Sequence, residues 1–272
     1  MLELIGALFS YNFIIRAAIV GILVALCSAL LGVSLVLKRF SMIGDGLSHV
    51  GFGALAVAMA LNLAPLQVAV PVVMLAAFLL LRISQNSTIK GDAAIAVIAS
   101  SSVSIGIIAV AMTTGLNVDI HNFMFGSILA MSKNDLYLSV FVALCVIVLY
   151  ILFYNKIFAV TFDEGFAKAT GTNVGAYNML ISMLTALTIV VGMRMMGAVL
   201  ISSLIIFPAL TSMRVFRSFK KVIISSALIS VLCFFIGLCI SFLYSLPTGA
   251  SIVIVNLCCF ILFYFFGRIR KI

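Results

Sequence analysis

Long unbroken runs of apolar residues, separated by short polar stretches, make up most of this chain of 272 residues. About 20 consecutive apolar residues cross a bilayer as an α-helix, whereas the strands of a membrane barrel alternate in segments of roughly 10 residues. The runs therefore predict an all-α, polytopic membrane bundle with about eight or nine transmembrane segments. Nine segments fit best, at roughly 13–37, 43–62, 65–82, 93–113, 135–155, 176–193, 197–213, 222–244 and 248–267.

The sixth and seventh segments are separated only by the three residues 194–196, so one of the two can be re-entrant, and eight spans are the alternative. The composition, 65% hydrophobic and 8% charged, leaves too little polar surface for a soluble domain of this size. No linker divides the chain. We therefore predict one transmembrane domain over residues 1–272, with membrane lipid around it.

Basic residues concentrate in alternate loops. One set of loops holds 13 of the 16 Lys and Arg residues, and the other set holds only Arg16, Lys133 and Arg194. The positive-inside rule then predicts a cytoplasmic C-terminus and an external N-terminus. The net charge of +9 is explained by this topology, and no nucleic-acid partner is expected.

Several enzyme motifs are absent from the sequence. It contains no G-x-x-x-x-G-K phosphate loop, no H-E-x-x-H zinc motif and no plausible Ser/His/Asp set. All six cysteines lie within apolar runs without a C-x-x-C pair, which is typical of buried free thiols. The chain is therefore not expected to be an enzyme, to bind ATP through a phosphate loop or to hold an intrinsic cofactor.

An acidic and an imidazole side chain lie close together in one apolar run. Asp45 and His49 are four residues apart in SMIGDGLSHVGFGA (41–54), so they share one face if the run is helical. Ionisable groups at membrane depth are costly and usually mark an ion or substrate site. A carboxylate oxygen beside an imidazole nitrogen suits a divalent transition metal. The alternative is a helix-capping Asp45 and a packed core His49.

Four other features have weaker interpretations. The only other histidine, His121, lies near Asp119 in a loop that we expect to be external and solvated. The loop 161–171 predicts a short amphipathic helix that is either a docking element or an ordinary interfacial helix. Gly21, Ala25 and Ala29 predict a helix-contact stripe. Pro208 predicts a kink.

Four stretches together resemble the ABC-3 family of bacterial zinc, manganese and iron permeases. The stretch KRFSMIGDGLSHV (38–50) is similar to the family signature. The stretches 118–126, 197–209 and 246–250 resemble further family motifs in the same order. The similarity extends over nearly the whole chain.

This resemblance implies a homodimeric permease in the bacterial cell membrane, moving Zn²⁺ or, less favoured, Mn²⁺ inward by alternating access. It implies a separate cytoplasmic ATP-binding subunit and an extracytoplasmic metal-binding protein that delivers the ion. The implied metal site is Asp45 with His49. The implied segment that couples to the ATPase includes Asp163, Glu164, Ala167 and Gly171. The main alternative is a secondary metal transporter that uses Asp45 and His49 as a proton relay.

Overall fold

The computed structural model describes residues 12–86, 91–113 and 133–269, and within these ranges every regular element is an α-helix. This confirms the predicted all-α class. The helices, numbered in chain order, are α1 (Asn12–Leu37), α2 (Ile43–Ala60), α3 (Pro65–Asn86), α4 (Gly91–Ala111), α5 (Lys133–Leu152), α6 (Tyr154–Phe162), α7 (Glu164–Ala169), α8 (Val174–Met196), α9 (Ala198–Met213), α10 (Phe219–Tyr244) and α11 (Thr248–Ile269).

The described helices support the lower end of the predicted span count. Seven of them are long and apolar enough to cross a membrane, namely α1, α2, α3, α4, α8, α10 and α11. Helices α5 and α6 form an eighth candidate, bent by 71° where they meet. The predicted segment 197–213 is the 16-residue helix α9, which is shorter than a bilayer span requires.

Gly197 separates α8 from α9. The three residues 194–196, which the apolar pattern predicts as the separator of the sixth and seventh segments, are still part of α8. Gly197 has φ 85°, in the left-handed region that other residues rarely adopt, and its N–H donates to the Met193 carbonyl at 2.8 Å. Helix α9 therefore begins directly after a one-residue break, and it continues through Pro208 without ending there.

The predicted small-residue stripe of α1 is a packing surface. Ala25 and Ala29 are fully buried, and a Cβ on Gly21 would lie 1.9 Å from the ring of Phe234 on α10. Ser230 of α10 donates a hydrogen bond to the Ala25 carbonyl at 2.9 Å. Helix α1 packs against α5, α8, α9 and α10, so it lies at the centre of the bundle.

Helices α2 and α4 approach each other closely through glycine. A Cβ on Gly53 would lie 2.4 Å from the Ser102 carbonyl oxygen, and one on Gly106 would lie 2.9 Å from the Gly53 Cα. A Cβ on Gly46 would likewise meet Ile95 at 2.4 Å. These contacts hold α4 along α2, whose N-terminal half carries the candidate metal ligands.

We expect Gly53→Ala to lower the thermal stability of the purified protein in detergent, by about 1–3 kcal/mol, because the added Cβ meets backbone that cannot move aside. Gly175→Ala is the matched control. Its Cβ would have only ordinary contact, 3.6 Å from Asn173, and alanine favours the helix. Equal melting temperatures for the Gly53→Ala and wild-type proteins would contradict the close approach of α2 and α4.

Candidate metal site

Asp45 and His49 lie side by side on α2. The helix begins at Ile43, which puts Asp45 in its first turn and His49 one turn later on the same face. The Asp45 Oδ2 and His49 Nε2 atoms are 3.6 Å apart, too far for a strong direct hydrogen bond. The predicted pairing on one helix face is therefore present, with both ligand atoms free to turn toward an ion.

A third polar side chain reaches Asp45 from α9. The Ser202 hydroxyl lies 3.3 Å from Asp45 Oδ1 and 3.0 Å from the Ala198 carbonyl, and it can donate to either oxygen. Ser202 is not among the metal-site residues that the sequence predicts. The only signal was a serine in an apolar run, and the partner lies 157 residues away in the chain.

The pair faces an open cavity of about 490 Å³ between α2 and α4. His49 is 33% exposed and Asp45 is 44% exposed, so neither is a buried core side chain. The α4 side of the cavity adds the hydroxyls of Ser100 and Ser104 to an otherwise apolar wall. This exposure argues against the alternative in which His49 is a packed core histidine.

One copy of the chain supplies an incomplete set of strong metal ligands. Among the described residues, no group of three or more His, Cys, Asp or Glu side chains could hold a metal ion. Protein-bound Zn²⁺ usually takes four ligands, of which Asp45 and His49 provide two. Water, hydroxyl groups or a second protein chain would have to supply the others.

The loop 161–171 contains the short helix that the sequence predicts. Asp163 caps α7, with its Oδ1 accepting a hydrogen bond from the Phe166 N–H at 2.9 Å, and Glu164 is in the first turn. Ala167 is fully buried. Gly171, with φ 79°, follows the end of the helix. Phe162 and Phe166 are 57% and 63% exposed, as expected for side chains available to a partner.

A buried cation connects this segment to the short loop between α1 and α2, the helix that carries Asp45 and His49. Lys38, directly after α1, is only 7% exposed, and its Nζ lies 2.7 Å from Glu164 Oε1 and 3.2 Å from the Val160 carbonyl oxygen. It also donates to Asn178 Oδ1 of α8, and Asn178 in turn donates to Glu164 at 3.2 Å. Lys38 therefore joins the end of α1 to α6, α7 and α8.

The same contacts change the ionisation of Glu164. Burial raises the pKa of this carboxyl, but the hydrogen bonds from Lys38 and Asn178 and the Lys38 charge outweigh burial and lower the pKa below its ordinary value. The stabilisation of the fold by the contact of Glu164 with Lys38 and Asn178 is thus fully present at pH values above the ordinary glutamate pKa. It is lost as the pH falls through the lowered value.

An aromatic cluster fixes α6 against the start of α10. The Phe219 ring lies 5.0 Å from Phe158, 5.6 Å from Phe162 and 5.7 Å from Tyr154, measured between centroids. Lys38, α6, α7 and Phe219 therefore lie at one end of the bundle. We call it the basic end, because Arg214, Arg217, Lys220 and Lys221 are close to Phe219 in the chain.

Two predicted features lie outside the described residues. These are the Asp119 and His121 loop and the family-like stretch 118–126. The fourth family-like stretch, 246–250, extends from the turn between α10 and α11 into the first turn of α11, and Ser241 donates to the Leu246 carbonyl at 2.7 Å. All six cysteines are free thiols.

Comparison with known proteins agrees with the resemblance. The chain is 29% identical over 260 residues to the manganese transport system membrane protein MntC of Halalkalibacterium halodurans, covering 96% of this chain and 89% of that protein. It is 30% identical over 256 residues to the high-affinity zinc uptake system membrane protein ZnuB of Haemophilus influenzae, covering 94% and 98%.

A solved structure has the same fold. PsaBC from Streptococcus pneumoniae, in complex with Fab, superposes with a TM-score of 0.86 at 30% identity, covering 96% of this chain and 94% of that one. The sequence profile of the ABC 3 transport family matches residues 10–267. With nearly its whole length matched, this chain belongs to the ABC 3 transport family.

Proposed function

We propose that this chain is the membrane-spanning permease subunit of an ATP-driven importer of Zn²⁺ or Mn²⁺. The observation that carries the proposal is the Asp45 and His49 pair, exposed to an open cavity in a bundle of apolar helices. Charged groups are rare at such positions unless they act on an ion or a substrate. The names of the manganese and zinc relatives support the same class of cargo.

The donor atoms favour Zn²⁺ over Mn²⁺. Imidazole nitrogen is a common zinc ligand, whereas manganese is better suited by carboxylate, carbonyl and water oxygens. The metal is cargo that must be released again. A site with few strong ligands, completed by water or hydroxyl groups, is consistent with binding that is reversible.

We propose that two copies form the permease and meet at the cavity. Each copy would contribute Asp45 and His49, which makes four strong ligands where one copy offers two. The outer side of α4 supports this arrangement, since Ser100 and Ser104 carry hydroxyls in the cavity wall while Val97, Ile105 and Ile108 are exposed. A face with a polar opening fits a protein partner better than lipid tails.

We propose that the basic end faces the cytoplasm and that α7 contacts the separate ATP-binding subunit. The exposed rings of Phe162 and Phe166 would enter the partner, with Asp163, Glu164, Ala167 and Gly171 shaping the helix that presents them. Lys38 would transmit movement of α7 to α2, because α2 begins five residues after it. A metal-binding protein would deliver the ion from the opposite side.

The test is whole-cell uptake of labelled Zn²⁺ and Mn²⁺ in a knockout strain that carries the permease with or without its ATP-binding subunit. We expect uptake of one of the two metals, and only when both proteins are present. Uptake by the permease alone would contradict the proposal and favour the ion-coupled secondary transporter.

A further inference from the structure

A second cavity at the basic end is lined by two arginines. It measures about 280 Å³, and its lining residues are Arg214, Tyr264, Gly267 and Arg268. Arg214 follows the last turn of α9, and the other three lie in the last two turns of α11. This cavity shares no residue with the one at Asp45 and His49.

Packing and ring contacts hold Arg214 in place. A Cβ on Gly267 would lie 3.0 Å from the Arg214 carbonyl oxygen, so the glycine lets the backbone at the end of α9 approach α11. The Arg214 guanidinium lies 5.1 Å from the Tyr264 ring centroid and 5.9 Å from that of Phe260, within the range of cation–π contact. The guanidinium is therefore oriented before any ligand arrives.

The two guanidinium groups have no acidic partner in the described part of the chain. The ion pairs found there are Lys38 with Glu164 and Asp45 with His49. Two cations that line one cavity repel each other unless an anion lies between them. The planar fork of arginine suits a phosphate group, which accepts two parallel hydrogen bonds.

The apolar surface beside the cavity suits a lipid tail. Helix α11 has exposed apolar side chains on the turns that lead to Arg268, namely Ile261, Leu262, Phe265 and Phe266. A ligand with a phosphate headgroup and an acyl chain would meet both the arginines and this surface. Basic pockets between helices at the cytoplasmic side of membrane proteins bind such headgroups.

We propose that Arg214 and Arg268 form a binding site for the phosphate headgroup of an anionic phospholipid, seated between the ends of α9 and α11. Tyr264 and Phe260 hold Arg214 in position, and the lipid tail lies along the exposed face of α11. The site shares no residue with the cavity at Asp45 and His49, so lipid binding there does not depend on which metal is transported.

The test is native mass spectrometry of the purified protein, titrated with phosphatidylglycerol or with phosphatidylcholine. We expect the wild-type protein to retain phosphatidylglycerol in preference to the zwitterionic lipid. Arg214→Gln/Arg268→Gln should weaken that binding about 30-fold, because each cation near a membrane surface contributes roughly fivefold. Arg217→Gln is the matched control. It removes an exposed arginine of the same loop that does not line the cavity.

Three results would overturn the site. Equal phosphatidylglycerol binding by the double variant would exclude both arginines as ligands. An equal loss in Arg217→Gln would indicate diffuse attraction by the whole loop. Displacement of the lipid by millimolar inorganic phosphate, without preference between the two lipids, would indicate a site for free phosphate. The Arg214→Lys variant keeps the positive charge but lacks the planar, forked guanidinium. When folded, it should bind phosphatidylglycerol at a level between those of the wild-type protein and the double variant.

Discussion

Uptake of the transported metal is expected to fall to background when Asp45 is replaced by alanine, while the amount of protein in the membrane stays unchanged. Asp45 supplies the only carboxylate among the residues that line the described cavity, and it accepts a hydrogen bond from the Ser202 hydroxyl. Loss of a group that merely supports a metal ligand typically weakens binding 10- to 100-fold, so loss of the ligand itself should exceed about 100-fold. The measurement is labelled Zn²⁺ and Mn²⁺ uptake in cells that also contain the ATP-binding subunit.

Two further variants test whether the loss of uptake in Asp45→Ala results from the loss of a metal ligand. Asp45→Glu keeps the charge but moves it by one methylene, so we expect partial uptake. Ser202→Ala removes a hydrogen bond to Asp45 but no strong ligand, and it should reduce uptake by about tenfold. Normal uptake by Asp45→Ala would refute the site. An equal, complete loss in all three variants would indicate a packing defect instead.

The second large effect is expected from Lys38→Met, which should separate ATP hydrolysis from transport. The variant leaves the Val160 carbonyl and the Asn178 Oδ1 without their cation, at a cost of about 1–3 kcal/mol for each buried acceptor left unpaired, and it removes the ion pair with the half-exposed Glu164. It also removes the contact that joins α7 to the loop before α2. We expect uptake per ATP hydrolysed to fall by about 5- to 150-fold, the usual range for a coupling between two sites.

The matched control for Lys38 is its neighbour. Arg39→Gln removes an exposed cation next to it in the chain, and should leave the ratio of uptake to ATP hydrolysis unchanged. Lys38→Arg keeps the charge and should restore part of the coupling. Uptake and hydrolysis that decrease in parallel in Lys38→Met would show that the residue only stabilises the fold.

Features that depend on neighbours in the chain could be predicted from the sequence. Runs of about 20 apolar residues identify the membrane helices, because each span must satisfy its backbone hydrogen bonds within itself. Asp45 and His49 share a face because four residues complete about one helical turn. The ends of α7 follow from Asp163 as a cap and Gly171 as a left-handed stop, both local effects.

Features that depend on distant parts of the chain required the tertiary structure. Lys38 meets Glu164 across 126 residues, and Ser202 meets Asp45 across 157. Such contacts are set by which helix faces pack together, and no periodicity within one helix specifies its neighbours. The sequence by itself determined the helices and the Asp45 and His49 pair, whereas only packing decided which groups surround that pair and which groups contact α7.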